Sequence, residues 1–201
     1  MNECKTMRYS AEHKKRTRDK ILEAAARLFR AEGYDGQGVD GLAKAAGVTN
    51  GAFYGHFGSK AEAFEMVVGD GLDDLRKGVE RYRDENGADW ITAFADFYFS
   101  EKKVQSVGDV CALPAFAHDV IRASDETRKT FETKLLSVLN AASTGLPPGP
   151  IPADDRAWIM LSLFVGGVTL ARAVPDRTVS DHIAEVVREA VKAFAAPCSR
   201  E

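Results

Sequence analysis

The 201-residue sequence has only three cysteines, Cys4, Cys111 and Cys198, far apart and without a Cys-x-x-Cys pair. With no histidine at metal-ligand spacing, a zinc framework and a disulfide scaffold are both excluded. No apolar run reaches the roughly 18 residues of a spanning helix, and the first residues are charged rather than an apolar signal region. A cytoplasmic protein with no membrane segment is expected. Low-complexity stretches and the alternating pattern of strands are missing as well, which argues against disorder and against a sheet. No Ser-His-Asp set, phosphate-binding glycine loop or close carboxylate pair stands in a context that supports catalysis. Neither an enzyme nor a cofactor is expected.

What is present is a chain with 45% apolar and 28% charged residues, the balance of a folded protein. Its net charge of −3 conceals an asymmetry. Residues 1–60 hold 11 basic and 7 acidic side chains, net +4, and the rest hold 16 and 23, net −7. An acidic whole therefore does not exclude a nucleic-acid partner for the basic part. Basic charge is densest at Lys14, Lys15, Arg16, Arg18 and Lys20, at the end of a polar arm, 1–16, without apolar periodicity. Such an arm either touches phosphates or is a solvated tail.

From Thr17, the residues Ile21, Leu22, Ala25, Leu28 and Phe29 form one stripe of an amphipathic helix, and Gly33 ends it. Val39, Leu42, Ala43 and Ala46 mark a short second helix up to Gly47. Val48-Thr49-Asn50-Gly51 opens a third, with Thr49 as its cap. Two short helices joined by a tight glycine turn form a helix-turn-helix, whose second helix can enter a major groove. Ser59 caps a long fourth helix with Phe64, Val67, Val68, Leu72, Leu75 and Val79, which connects residues 17–60 to residues 61–201.

An aromatic helix follows, with Trp90, Phe94, Phe97, Tyr98 and Phe99, until Gly108 interrupts the pattern. A short apolar helix runs beyond Pro114 to about Ile121, and another begins near Ser124. After the loop from Gly145 to Pro150, the stretch from Ala157 to Ala171 has no charged side chain and reads as a fully buried helix, with Gly166-Gly167 permitting close approach. A last helix carries Ile183, Val186, Val187, Ala190, Val191 and Phe194. The expected class is all-α, with about nine helices: a three-helix DNA-binding head and a second helical domain.

Ile21-Leu22-Glu23-Ala24-Ala25 with Leu28-Phe29 and Gly33-Tyr34, then Leu42 to Thr49, then Gly51-Ala52-Phe53-Tyr54-Gly55-His56-Phe57-Gly58-Ser59-Lys60, resemble the tetracycline-repressor (TetR) family of bacterial regulators. The segments 108–113 and 166–174 are similar to parts of one set of its members. Gln37-Gly38 stands where the family usually has Thr-Thr or Thr-Ser, so the second helix lacks a hydroxyl cap. Asn50 replaces the usual Lys or Arg and can pair with adenine or bond a phosphate.

The resemblance implies a DNA interface made of Gly38, Val39, Thr49, Asn50, Gly51, Ala52, Tyr54, His56 and Lys60. Tyr54 can offer its hydroxyl to a phosphate because Phe53 and Phe57 supply the core contacts. His56 reads equally as a phosphate contact or as a surface imidazole beside Phe57. In the second domain, Phe94, Phe97, Tyr98, Cys111, Phe116, His118 and Trp158 are either ordinary core or the wall of a small-molecule pocket. Cys111 reads as structural or as an electrophile sensor. The resemblance further implies a homodimer through helices near 157–171 and 183–194, a palindromic operator, and a small-molecule effector that releases a repressor from it. The rival expectations are thiol sensing through Cys111 and a small-molecule-binding protein without specific DNA binding.

Overall fold

The computed structural model describes residues 3–100 and 111–195. Gly108 and Cys198 lie outside them. Among the described residues there are nine α-helices and no strand: α1 (Glu3–Glu32), α2 (Val39–Ala46), α3 (Asn50–Tyr54), α4 (Lys60–Asn86), α5 (Trp90–Tyr98), α6 (Ala112–Val120), α7 (Asp125–Thr144), α8 (Ala153–Ala173) and α9 (Arg177–Ala195).

The first helix begins earlier than its apolar stripe. Sequence periodicity placed its start at Thr17, yet α1 runs unbroken from Glu3. No Gly or Pro interrupts that stretch, and extending a helix from a packed half costs far less than nucleating one. The basic arm is thus a helical extension of the head.

Two hydrophobic cores follow. In the first, Ile21, Ala25 and Phe29 of α1 meet Leu42, Phe53, Phe57 and the first half of α4. Leu113, Phe116 and Val120 of α6 complete it, with the Phe64 ring edge-on to Phe29 at 5.2 Å and to Phe116 at 5.9 Å. Packing therefore crosses the expected boundary at residue 60. The second core gathers Trp90, Phe94 and Tyr98 of α5 and the adjoining Phe99 against Leu139, Met160, Phe164, Val168 and Val191.

Specific polar ties position the helices. Lys134 of α7 pairs with Asp73 of α4 at 2.5 Å, and Thr130 donates to Glu65 at 2.7 Å. The Trp90 indole N–H donates to the Gly145 carbonyl at 2.8 Å, which satisfies a polar atom that burial would otherwise penalise. At Gly167 a Cβ would stand 2.7 Å from Val187 Cγ1 and 3.0 Å from Phe99 Cε1, so only glycine lets α8 lie this close to α9 and α5. Gly166 has no such neighbour.

One expectation for α8 fails. By length and composition this helix could cross a membrane, and the lack of charge from Ala157 to Ala171 suggested burial on every side of that stretch. Instead Ala157, Met160, Phe164, Val168 and Ala171 face the second core, while Trp158 and Ile159 are each 38% exposed and Leu170 is 59% exposed. Val179 and Val186 of α9 are also exposed. A single chain thus covers one side of the helix and leaves an apolar face outside.

Candidate nucleic-acid interface and interior cavity

The turn between α2 and α3 is fixed by the backbone. Gly47 adopts the left-handed conformation with φ 67°, and its N–H donates to the Lys44 carbonyl at 3.1 Å while Val48 N–H donates to Ala43 at 2.9 Å. Glycine ends α2 without the strain that a Cβ would bring there. The Thr49 hydroxyl accepts from Ala52 N–H at 3.1 Å and so caps α3. At the start of α2, Gly38 supplies no side-chain bond and caps through its extended backbone, its carbonyl accepting from Leu42 N–H at 3.1 Å.

The expected interface residues separate into three groups. Gly38, Thr49, Asn50, Gly51 and Tyr54 are exposed, and Ala52 is half-buried. Phe53 and Phe57 fill the core beneath, which leaves Tyr54 57% exposed. Asn50 and Lys60, however, already have partners within the head. Asn50 Nδ2 donates to the Asp40 carboxylate, linking the two helices of the motif. Lys60 Nζ donates to the carbonyls of Tyr34 at 2.8 Å and Gln37 at 3.1 Å, and lies 4.1 Å from the Tyr34 ring centre. Lys60 therefore organises the loop that precedes α2. Val39 turns inward and packs on the first core.

His56 sits where α1 reaches the motif. Partial burial lowers its pKa from the ordinary value, and the charges of Lys14 and Arg18 lower it further. Arg18 lies with its guanidinium carbon 5.5 Å from the Phe57 ring centre and donates to Met66 Sδ at 2.9 Å. The helical extension of α1 thus brings its basic side chains beside the α3–α4 turn. Asp40, the partner of Asn50, was not anticipated, because a lone exposed acid on a short helix carries no signal of its own.

A half-open cavity of about 240 Å³ lies between α4, α5, α6, α8 and the end of α1. Phe94, Phe97, Tyr98 and Cys111 line it. Phe116 does not: it is fully buried in the first core. His118 lies on the outer side of α6 beside Arg122, and Trp158 belongs to the exposed face of α8. Aromatic character alone could not say which side of a helix faces the cavity. A second apolar void of about 20 Å³ shares Leu75, Phe94 and Tyr98 with the first.

Sequence reasoning missed the charged lining. Arg30 enters from α1, Asp74 and Arg81 from α4, and Arg172 from the last turn of α8. Burial pushes the Cys111 thiol up from its ordinary pKa, partly offset by bonds to the Leu113 backbone and the Tyr98 side chain and by the charges of Arg30 and Arg172. The Tyr98 hydroxyl is raised further still, mainly by burial and then by Cys111. A protonated thiol at neutral pH is a poor nucleophile. Among the described residues, no group of three or more His, Cys, Asp or Glu side chains could hold a metal ion.

Comparison with known proteins agrees with the head. Residues 21–67 match the family model of bacterial regulatory proteins, tetR family. An uncharacterized HTH-type transcriptional regulator, TtgW of Pseudomonas putida, is 41% identical over 61 residues, which are 30% of this chain and 46% of that protein. The HTH-type transcriptional repressor AcnR of Corynebacterium efficiens is 33% identical over 88 residues, 38% of this chain and 46% of its own. The chain thus spans less than half the length of these curated relatives. In fold it is similar to NemR of E. coli in its reduced form, with a TM-score of 0.80 at 18% identity, over 92% of this chain and 99% of that one.

Proposed function

We propose that the chain, whose residues 21–67 match the tetR family of bacterial regulatory proteins, is a cytoplasmic homodimeric repressor that a small molecule releases from a palindromic operator. The observation that carries this reading is the capped α3, whose Thr49, Gly51 and Tyr54 are exposed while Phe53 and Phe57 anchor it. That arrangement lets the helix lie in a major groove with its N-terminal residues at base edges and the Tyr54 hydroxyl at a phosphate. Lys14, Arg18 and His56 lie on the approach to the same turn.

The exposed apolar face of α8 and α9 supports self-association. Trp158, Ile159 and Leu170 of α8 and Val186 of α9 are exposed apolar side chains that a second copy would cover with its own, setting two recognition helices at successive half-sites. The cavity supplies an effector site, and α1 and α4 join it to the head. An effector that favours a different spacing of the heads must weaken DNA binding by the same factor by which DNA weakens its own binding. Thiol sensing through Cys111 is disfavoured by the protonated state that burial imposes.

The test is fluorescence anisotropy of labelled DNA from upstream of the protein's own gene against scrambled DNA, over a salt series. Tight binding to the native sequence, weakened by salt and by Tyr54→Phe, is the expected result. Equal weak binding to both would overturn it in favour of a small-molecule-binding protein without specific DNA binding.

A further inference from the structure

We propose that Asp40 is a specificity-determining residue of the head: its carboxylate holds the Asn50 amide with the carbonyl oxygen turned outward, so that Asn50 reads an adenine in the major groove rather than bonding a phosphate. This assignment rests on the reading of the head as a DNA-binding unit and adds to it the base that one side chain selects.

The pair joins the two helices of the motif. Asp40 lies in the first turn of α2, Asn50 is the first residue of α3, and Asn50 Nδ2 donates to Asp40 Oδ1. Both side chains are exposed. An ionised carboxylate has acceptors only, so the amide nitrogen of Asn50 can meet it and the amide oxygen cannot. Asp40 thus settles which way the amide faces, a choice that a lone surface asparagine leaves open.

That orientation sorts the contacts open to Asn50. A phosphate also has acceptors only, and asparagine bonds it through N–H. In Asn50 that edge is turned toward Asp40, whose negative charge repels a phosphate brought beside it. The outward group, Oδ1, needs a donor. In the major groove adenine offers N6–H and cytosine N4–H, whereas guanine and thymine present acceptors. The second N–H of Asn50 remains for adenine N7, so adenine is the base met at two points. Donation to Asp40 also polarises the amide, which makes Oδ1 a stronger acceptor.

The surroundings leave room for a base edge. Thr49 and Gly51 are exposed on either side of Asn50. A Cβ at Gly51 would meet no atom nearer than Thr49 Oγ1 at 3.9 Å, and one at Gly38 would meet nothing within 4 Å. An acid in the first turn of a helix also has an ordinary role, since it offsets the helix dipole. That role touches no base, so a change in base preference tells the two apart.

The experiment selects binding sites for the full chain from a randomised duplex library. It then measures anisotropy on the selected site with each base in turn at the position whose preference Asn50→Ala erases. The unaltered protein should favour adenine there by about tenfold or more over guanine and thymine. Asp40→Ala should remove most of that preference while binding to unselected DNA stays as tight or tightens, because a negative charge near the phosphates is lost. Asp40→Asn, whose amide oxygen still accepts, should keep part of it. In an Asn50→Ala background, Asp40→Ala should change base preference no further. Circular dichroism confirms that each variant folds. An adenine preference that survives Asp40→Ala, a preference for any other base, or an effect of Asp40→Ala on base preference without Asn50 would each overturn the proposal. An enriched palindrome indifferent to both residues overturns it alone, whereas a library with no enriched sequence overturns the repressor reading together with it.

Discussion

The Tyr34 backbone N–H donates to the Asp119 carboxylate at 2.9 Å, and the Tyr34 carbonyl accepts from Lys60 Nζ at 2.8 Å. One peptide segment is therefore held from α6 on one side and from α4 on the other. Asp119 also pairs with Arg122 at 2.9 Å and its side chain is only 10% exposed. Asp119→Ala should destabilise the protein by about 1–3 kcal/mol, the range for a buried donor left without its charged acceptor. Asp119→Asn should recover part of the loss, and urea denaturation of the three proteins checks the order.

Glycine 167 offers a second test. Its replacement by alanine puts a methyl group against Val187 and Phe99, whereas the same change at Gly166 meets nothing within the chain. Gly167→Ala should cost about 1–3 kcal/mol through overpacking. Gly166→Ala should leave the single chain's packing intact, and thermal denaturation at one protein concentration distinguishes them.

How much of this was readable in advance depended on which physical signal each residue carried. The head was legible because capping, glycine turns and a 3.6-residue stripe all coincide between Ile21 and Lys60. Arg30, Arg81 and Arg172 were not, because a cation at helical spacing looks like a solvated face until the neighbouring helices are placed. That Phe116, His118 and Trp158, which read either as core or as cavity wall, do not line the cavity was hidden for the complementary reason. A side chain's chemistry is written in the sequence, but the direction it faces in a bundle is set by packing between distant helices.

The apolar face on α8 and α9 predicts an oligomeric change. Leu170→Glu or Val186→Glu places a charge where a second copy would bury it, at positions that a single chain leaves 59% and 53% exposed. Sedimentation velocity should show the variants shifting from dimer to monomer while circular dichroism stays helical. Operator affinity should fall with the dimer fraction.

His56 sets a pH signature. Its folded pKa lies below the ordinary 6.5, through burial first and then Lys14 and Arg18. A depressed value means that the neutral ring is favoured in the folded state, so its contribution to stability is full above pH 6.5 and is lost as pH falls through the lowered folded value. Phosphates beside the ring would reverse the shift. NMR titration should place the His56 midpoint below 6.5 in the free protein and higher in the DNA complex. An unmoved midpoint would show that His56 does not face DNA.

The length of α1 gives the cavity mechanical reach. Arg30 at its inner end and Lys14 further out along it are separated by about 24 Å of helix, at about 1.5 Å per residue. A tilt of about 5° pivoting at Arg30 would carry Lys14 sideways by about 2 Å, comparable with the tolerance of a hydrogen bond to a phosphate. A guest small enough to fit the cavity thus needs to rearrange almost nothing around itself. Under the proposed mechanism, leverage along a single helix would convert a slight accommodation at one end into a misfit at the other.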